Sequence, residues 1–295
     1  MEDFFEDLLK VFKKIADLLE ESRGIYVLTK ERVIERNNVK IIGSGSKTLM
    51  LAHGFGCDQN VWQHLIPQLQ EHYTLVLFDY VGSGQSQISA FSESRYCALE
   101  GYAHDVTDIC EALDLTEVHF VGHSVSCNIG LLATIAQPER FSSQIMICPS
   151  PCFLNMPPDY YGGFERADLE ELIELMDRNY MGWANYLAPL IMGAESSQQL
   201  IGELSSSFCS TDPVVAKSFA RATFFSDYRH LLSQTAHPSL VLQSEIDSLA
   251  NPEVGHYLHA HLPDSTLRIM ASEGHCIHMT HPDRVVREIN AWLGG

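Results

Sequence analysis

The chain has 295 residues, 45% of them hydrophobic, enough for one large domain with a sizeable core or for one domain with an appendage. Its 38 acidic residues against 19 lysines and arginines give a formal charge of -19, a field that repels phosphates and anionic lipid heads, so nucleic-acid and membrane-surface binding are disfavoured. No apolar stretch reaches the roughly eighteen residues of a membrane span, and eight cysteines scattered without a C-x-x-C pair fit free thiols in a reducing cytoplasm.

Residues 1–23 form the first expected element. Phe5, Leu8, Phe12, Ile15 and Leu19 alternate at spacings of three and four, and Phe4, Leu9 and Ala16 widen the stripe. The pattern predicts an amphipathic helix rather than a signal peptide. Its apolar face needs a cover: the main domain, a second copy through self-association, or a partner. A main domain over 24–295 follows. After a polar passage, β-runs are expected at 39–42, 48–52, 74–78, 118–121, 144–147, 239–242 and 266–270, several nearly continuous in apolar residues, as strands buried on both faces are. Helix-length stretches at 60–71, 99–113, 125–137, 253–261 and 283–293 separate most of them. The alternation predicts an α/β fold with a mostly parallel sheet and helices on both faces. One interval of about ninety residues breaks this rhythm with helical patterns and no convincing strand. It reads as an inserted cap over 152–234, with four helices near 169–176, 182–190, 198–208 and 213–225.

The sharpest chemical signal is Val121-Gly122-His123-Ser124-Val125-Ser126, directly after one expected strand and directly before a helix. A serine on such a turn is lifted above the sheet next to a helix N-terminus that favours negative charge. Ser126 replaces the second glycine of the G-x-S-x-G pattern and is small enough to preserve the turn. A serine alcohol near neutral pH needs a base, and the base needs an orienting acid. His275 lies in a loop just after the last expected strand. Asp247 follows the strand at 239–242, with Glu245 as the competing acid; His275 and Asp247 both sit at the carboxyl ends of strands, where open α/β sheets bind ligands. The recurrence of His275, His278 and His281 also suits a metal site, but Pro282 and the loop position disrupt a shared ligand face, so no metal is expected. Cys148 and Cys152 read as packing residues, and His256, His259 and His261 as a solvated helix face. The loop His53-Gly54-Phe55-Gly56 follows the strand at 48–52. Its Phe55 amide, with the Val125 amide after the nucleophile, is expected to form the oxyanion hole. No cofactor motif appears, and this chemistry requires none.

The segments Gly54-Phe-Gly-Cys-Asp-Gln59, Phe78-Asp-Tyr-Val-Gly-Ser-Gly84, Gly122-His-Ser-Val125, Pro149-Ser-Pro151, Tyr160-Tyr-Gly-Gly-Phe-Glu165, Cys209-Ser-Thr-Asp-Pro213 and Gly274-His-Cys276 resemble the RsbQ family of bacterial stress-response regulators, which has the α/β-hydrolase fold. Ser126 and the run from Asn179 to Leu190 resemble the plant strigolactone and karrikin receptors of that fold. The resemblance carries the acid role onto Asp247. It implies a small hydrophobic ligand, ester or lactone, bound among aromatic residues under a four-helix cap, with Phe55, Phe153, Trp183, Leu187 and Phe224 at matching pocket positions. Tyr160 to Glu165 would shape the entrance. It also implies signalling to a PP2C-type phosphatase carrying a PAS sensor. The amphipathic segment at 1–23 is a departure from the bacterial family. The competing expectation is an ordinary metabolic carboxylesterase with no signalling partner.

Overall fold

A computed structural model describes residues 29–294, so the helix expected over 1–23 lies outside the described residues. A seven-stranded sheet runs β1 (Lys40–Ile42), β3 (Tyr73–Leu77), β2 (Lys47–Ala52), β4 (Val118–His123), β5 (Phe141–Ile147), β8 (Ser239–Ile246), β9 (Ser265–Glu273). Only β1, against β3, is antiparallel. Strands β2 and β3 end in apolar, covered residues, Leu49 to Ala52 and Leu75 to Leu77, because helices close both faces of the parallel sheet.

Counting helices of seven residues or more, α1 is Lys30–Arg36, α2 Leu99–Ala112, α3 Val125–Ala136, α4 Arg166–Arg178, α5 Tyr180–Met192, α6 Gln198–Ser210, α7 Pro213–Phe224, α8 Pro252–His261 and α9 Pro282–Leu293. Helices α4 to α7 all fall between β5 and β8, together with a small hairpin of β6 (Asn155–Met156) and β7 (Tyr160–Tyr161). Among the described residues no helix is long and apolar enough to cross a membrane, and all eight cysteines are unpaired.

Three departures from the expected elements have physical causes. The helix expected at 60–71 is broken into a 3-10 turn, Gln59–His64, and a short helix, Ile66–Leu69, because Pro67 has no amide to continue the ladder. Helix α1 occupies part of the polar passage. Thr29 caps it by accepting from the Arg32 amide, and only Val33 and Arg36 are buried. Arg36 is held there by Asp105 and Asp108 of α2 at 3.2 and 3.0 Å, where Arg95 joins them. The β6–β7 hairpin interrupts an interval read as helical, since two-residue strands carry no legible alternation.

Candidate active site

The turn between β4 and α3 puts Ser124 at φ 56°, ψ -121°, a left-handed conformation that L residues hold only when their surroundings enforce it. The enforcement is visible on both sides. The Ser124 amide donates to Ile147 O of β5 at 2.9 Å, and Gly122 lies so close to the helix that a Cβ there would sit 2.7 Å from Ser126 O. Val125 opens α3, and the first amides of a helix have no intrahelical acceptor, which leaves this one available to an anion.

His275 follows β9. Its Nδ1 donates to Asp247 Oδ2 at 2.8 Å, with both side chains buried. That bond puts the ring proton on Nδ1 and leaves Nε2 as an acceptor facing the cavity that Ser124 lines. The other oxygen of Asp247 accepts from the amides of Leu249 and Ala250 at 2.9 and 3.1 Å, so the carboxylate is fixed by three donors. Glu245 is exposed and does not meet the imidazole. No hydrogen bond joins Ser124 to His275 Nε2 in this structure; proton transfer requires that contact to close, as catalytic contacts often do only with substrate present. Cys148 Sγ lies within 4.8 Å of the Asp247 and His275 ligand atoms, but burial and the nearby Asp247 charge push its thiol up and keep it protonated. The facing atoms of Asp247 and His275 already hold each other.

A second buried network shapes the loop carrying Phe55. Tyr80 donates its amide to His53 Nε2 at 3.2 Å, so His53 is protonated on Nδ1, which donates to Gly54 O at 2.9 Å. Burial lowers the His53 pKa and holds the ring in that neutral form. Ser126 donates to His53 O and is paired with the Tyr80 hydroxyl at 2.8 Å. The small residue at the second-glycine position therefore ties the nucleophile turn to the loop that presents the Phe55 amide.

The cavity at Ser124 measures about 20 Å³ and is also lined by Phe55, His123, Leu187, Phe224 and His275. Phe153 and Trp183 stand one layer back, packed on Phe224 at 5.2 Å and on Phe55 at 5.9 Å between ring centres. Ile191, Leu204, Phe208, Thr223, Leu249, Cys57 and Cys276, none of them expected as pocket residues, complete the wall; Leu204, Phe208 and Thr223 fall inside the expected cap helices, and Cys57 and Cys276 inside segments that carry the family resemblance. A larger surface cleft of about 510 Å³, lined by Asp58, Gln63, Glu203 and cap serines, contains none of these groups. His278, considered above as a metal ligand, is instead fully buried against Trp62 and His123, and neither ring nitrogen has a partner.

A parallel sheet, a strained serine turn between strand and helix, and an acid-held histidine under a helical insertion define a class of hydrolytic enzymes. The chain belongs to the α/β-hydrolase fold family, whose model matches residues 47–282. It is 42% identical over 255 residues to Karrikin insensitive 2 receptor CA of Petunia hybrida, covering 86% of this chain and 94% of that protein. It is 35% identical over 261 residues to Strigolactone esterase D14 of Arabidopsis thaliana, covering 88% and 97%. Among solved structures, a hydrolase from Oleispira antarctica matches with a TM-score of 0.89 at 57% identity, over 90% of this chain and 98% of that one.

Proposed function

We propose that the protein hydrolyses a small hydrophobic ester or lactone with Ser124 as nucleophile, and that this turnover serves ligand sensing. Ser124 Oγ bonds to the carbonyl carbon as His275 Nε2 takes the hydroxyl proton. The Phe55 and Val125 amides hold the oxyanion. The alcohol leaves with the proton from His275, and water, deprotonated by the same ring, then releases the acid and restores the serine. The observation that carries this reading is the 2.8 Å Asp247–His275 bond beside a closed, largely apolar cavity that Ser124 lines. Phe55, Leu187 and Phe224 would contact the ligand directly, and Phe153 and Trp183 would set the positions of those rings.

A cavity of about 20 Å³ holds little more than one water. Ligand entry therefore needs α5 and α7 to shift, and that movement couples occupancy to the shape of the cap. Relatives named as karrikin insensitive 2 receptors, matching over most of their length, favour the signalling part of the reading over a metabolic carboxylesterase. The resemblance to the bacterial stress regulators suggests a PP2C-type phosphatase with a PAS sensor as the partner in a cytoplasmic pathway. Residues 1–23 would supply a docking or self-association helix.

Turnover of p-nitrophenyl acetate and of a simple butenolide by wild type and by Ser124→Ala tests the chemistry. The variant should lose at least about 10³-fold in kcat; equal rates would remove Ser124 from the mechanism. Co-purification of the phosphatase with wild type, and its loss when Phe5, Leu8, Phe12 and Ile15 are replaced by Asp, tests the signalling part.

A further inference from the structure

The wall of the Ser124 cavity is apolar apart from the reacting groups, two buried thiols, His123 and one further hydroxyl, that of Thr223. Thr223 sits in the last turn of α7 and is 1% exposed. Its Oγ1 is buried with no hydrogen-bond partner. Neighbouring Phe224 locks that turn in place by packing on Phe55 and Phe153 at 5.6 and 5.2 Å between ring centres. A buried hydroxyl left unpaired is destabilising, and such orphans in native structures call for an explanation. The other polar atoms of the wall are differently placed. His275 Nε2 faces the reaction, the Cys57 and Cys276 thiols are held protonated by burial, and the His123 Nδ1 faces the backbone of Gly54, where a Cβ would sit only 2.5 Å from it.

We infer that Thr223 is a specificity-determining residue: its hydroxyl hydrogen-bonds a second, neutral oxygen of the substrate, outside the scissile ester or lactone group. This deepens the hydrolase reading and rests on it. The oxygen belongs to an ether, hydroxyl or second carbonyl rather than a carboxylate, because no lysine or arginine lines the cavity and an uncompensated anion would be costly to bury there. The selected class is thus a small oxygenated ester or lactone, with an aliphatic or aryl ester of equal volume disfavoured. A site with a buried polar group waiting for a partner discriminates against the analogue that lacks it.

Two isosteric pairs test this. In 4-methoxyphenyl acetate against 4-ethylphenyl acetate the extra oxygen lies on the alcohol side; in phenyl methoxyacetate against phenyl butyrate it lies on the acyl side. For at least one pair, the ratio of kcat/KM for the ether over the alkyl ester should fall roughly 3- to 10-fold in Thr223→Val, the range of one ordinary hydrogen bond, and Thr223→Ser should retain the wild-type ratio. Valine nearly matches threonine in volume, and the melting temperature of each variant registers any loss of fold. Should turnover be too slow to resolve, the same ratios are read as Kd on Ser124→Ala and Ser124→Ala/Thr223→Val by ligand-induced thermal shift. Ratios unchanged by Thr223→Val in both pairs would overturn the assignment of Thr223 while leaving the hydrolase intact; equal turnover by wild type and Ser124→Ala would instead overturn the hydrolase reading itself.

Discussion

Ser126 and Tyr80 touch no reacting atom, yet they bear on the geometry of the proposed oxyanion hole. The Ser126 hydroxyl holds the carbonyl of His53, and the His53 ring holds the carbonyl of Gly54, the peptide whose amide is that of Phe55. Donation to a peptide carbonyl polarises the amide of the same unit, so His53 both places the Phe55 N–H and strengthens it as a donor. Tyr80 anchors both connections, through its amide to His53 and its hydroxyl to Ser126. Tyr80→Phe and Ser126→Ala should each lower kcat by about 3- to 10-fold with little change in KM, in line with about 1 kcal/mol per hydrogen bond lost from a transition-state contact. The double variant should lose less than the product of the two, since both cut one chain. Strict multiplicativity, or losses confined to KM, would argue against a shared positioning role. These roles were hidden in the sequence because they depend on where the ends of β2, β3 and β4 meet. Ser124 and His275 were legible because a strand-turn-helix context and strand-end positions are local signals. The choice of Asp247 over Glu245 came from the family resemblance and not from local pattern, since two residues apart they share one alternation phase. It is the end of β8 at Ile246, after a register shift between Ser244 and Ile246, that frees Asp247 to turn inward.

At the scale of elements, the cap and the histidine loop are joined at the end of α5. The His275 amide donates to Ile191 O at 2.7 Å, the Ser248 hydroxyl to Leu190 O at 3.0 Å, and the Gly274 amide to Ile246 O at 2.8 Å. The last carbonyls of a helix have no intrahelical donor, and here the loops bearing both His275 and Asp247 supply donors to them. Gly274 makes this approach possible: it has φ +95°, and a Cβ would lie 2.2 Å from Met192 O. Gly274→Ala should therefore push the end of α5 away from His275. The expected result is a loss of about 1 to 3 kcal/mol in urea unfolding, the range for a side chain forced into such a backbone conformation, together with a fall in kcat. Full activity at wild-type stability would mean that the contact is incidental. The major elements were legible because strands in a covered parallel sheet are nearly uniform in apolar residues and the cap helices carry apolar stripes. Helix α1 was not, because it buries only Val33 and Arg36 and is retained by the Asp105 and Asp108 ion pairs rather than by a stripe.

For the whole molecule, the charge balance and the buried imidazoles pull in opposite directions as pH falls. Acidification shrinks the formal charge of -19 and relieves self-repulsion, which by itself would favour the folded state. Behind the site, however, His123 and His278 pack ring to ring at 4.2 Å with Trp62 beside them, and both are fully buried. Burial, with the adjacent imidazoles, lowers the His278 pKa to about 3 and that of His123 well below its ordinary value; burial also lowers that of His53. A histidine whose folded pKa is lowered stays neutral in the native state while the unfolded chain takes up its proton near pH 6.5. Its contribution is therefore fully present above about pH 6.5 and is lost as pH falls from there toward about 3, at up to roughly 1.4 kcal/mol per unit once the unfolded imidazole is charged. Urea midpoints measured from pH 7 to pH 4 should fall steadily despite the shrinking net charge. His278→Phe removes one titrating ring and leaves no unpaired nitrogen in its place, so its midpoints should decline less steeply than those of wild type while nearly matching or exceeding them at pH 7. Parallel declines in the two proteins would show that His278 does not set the acid limit of this fold.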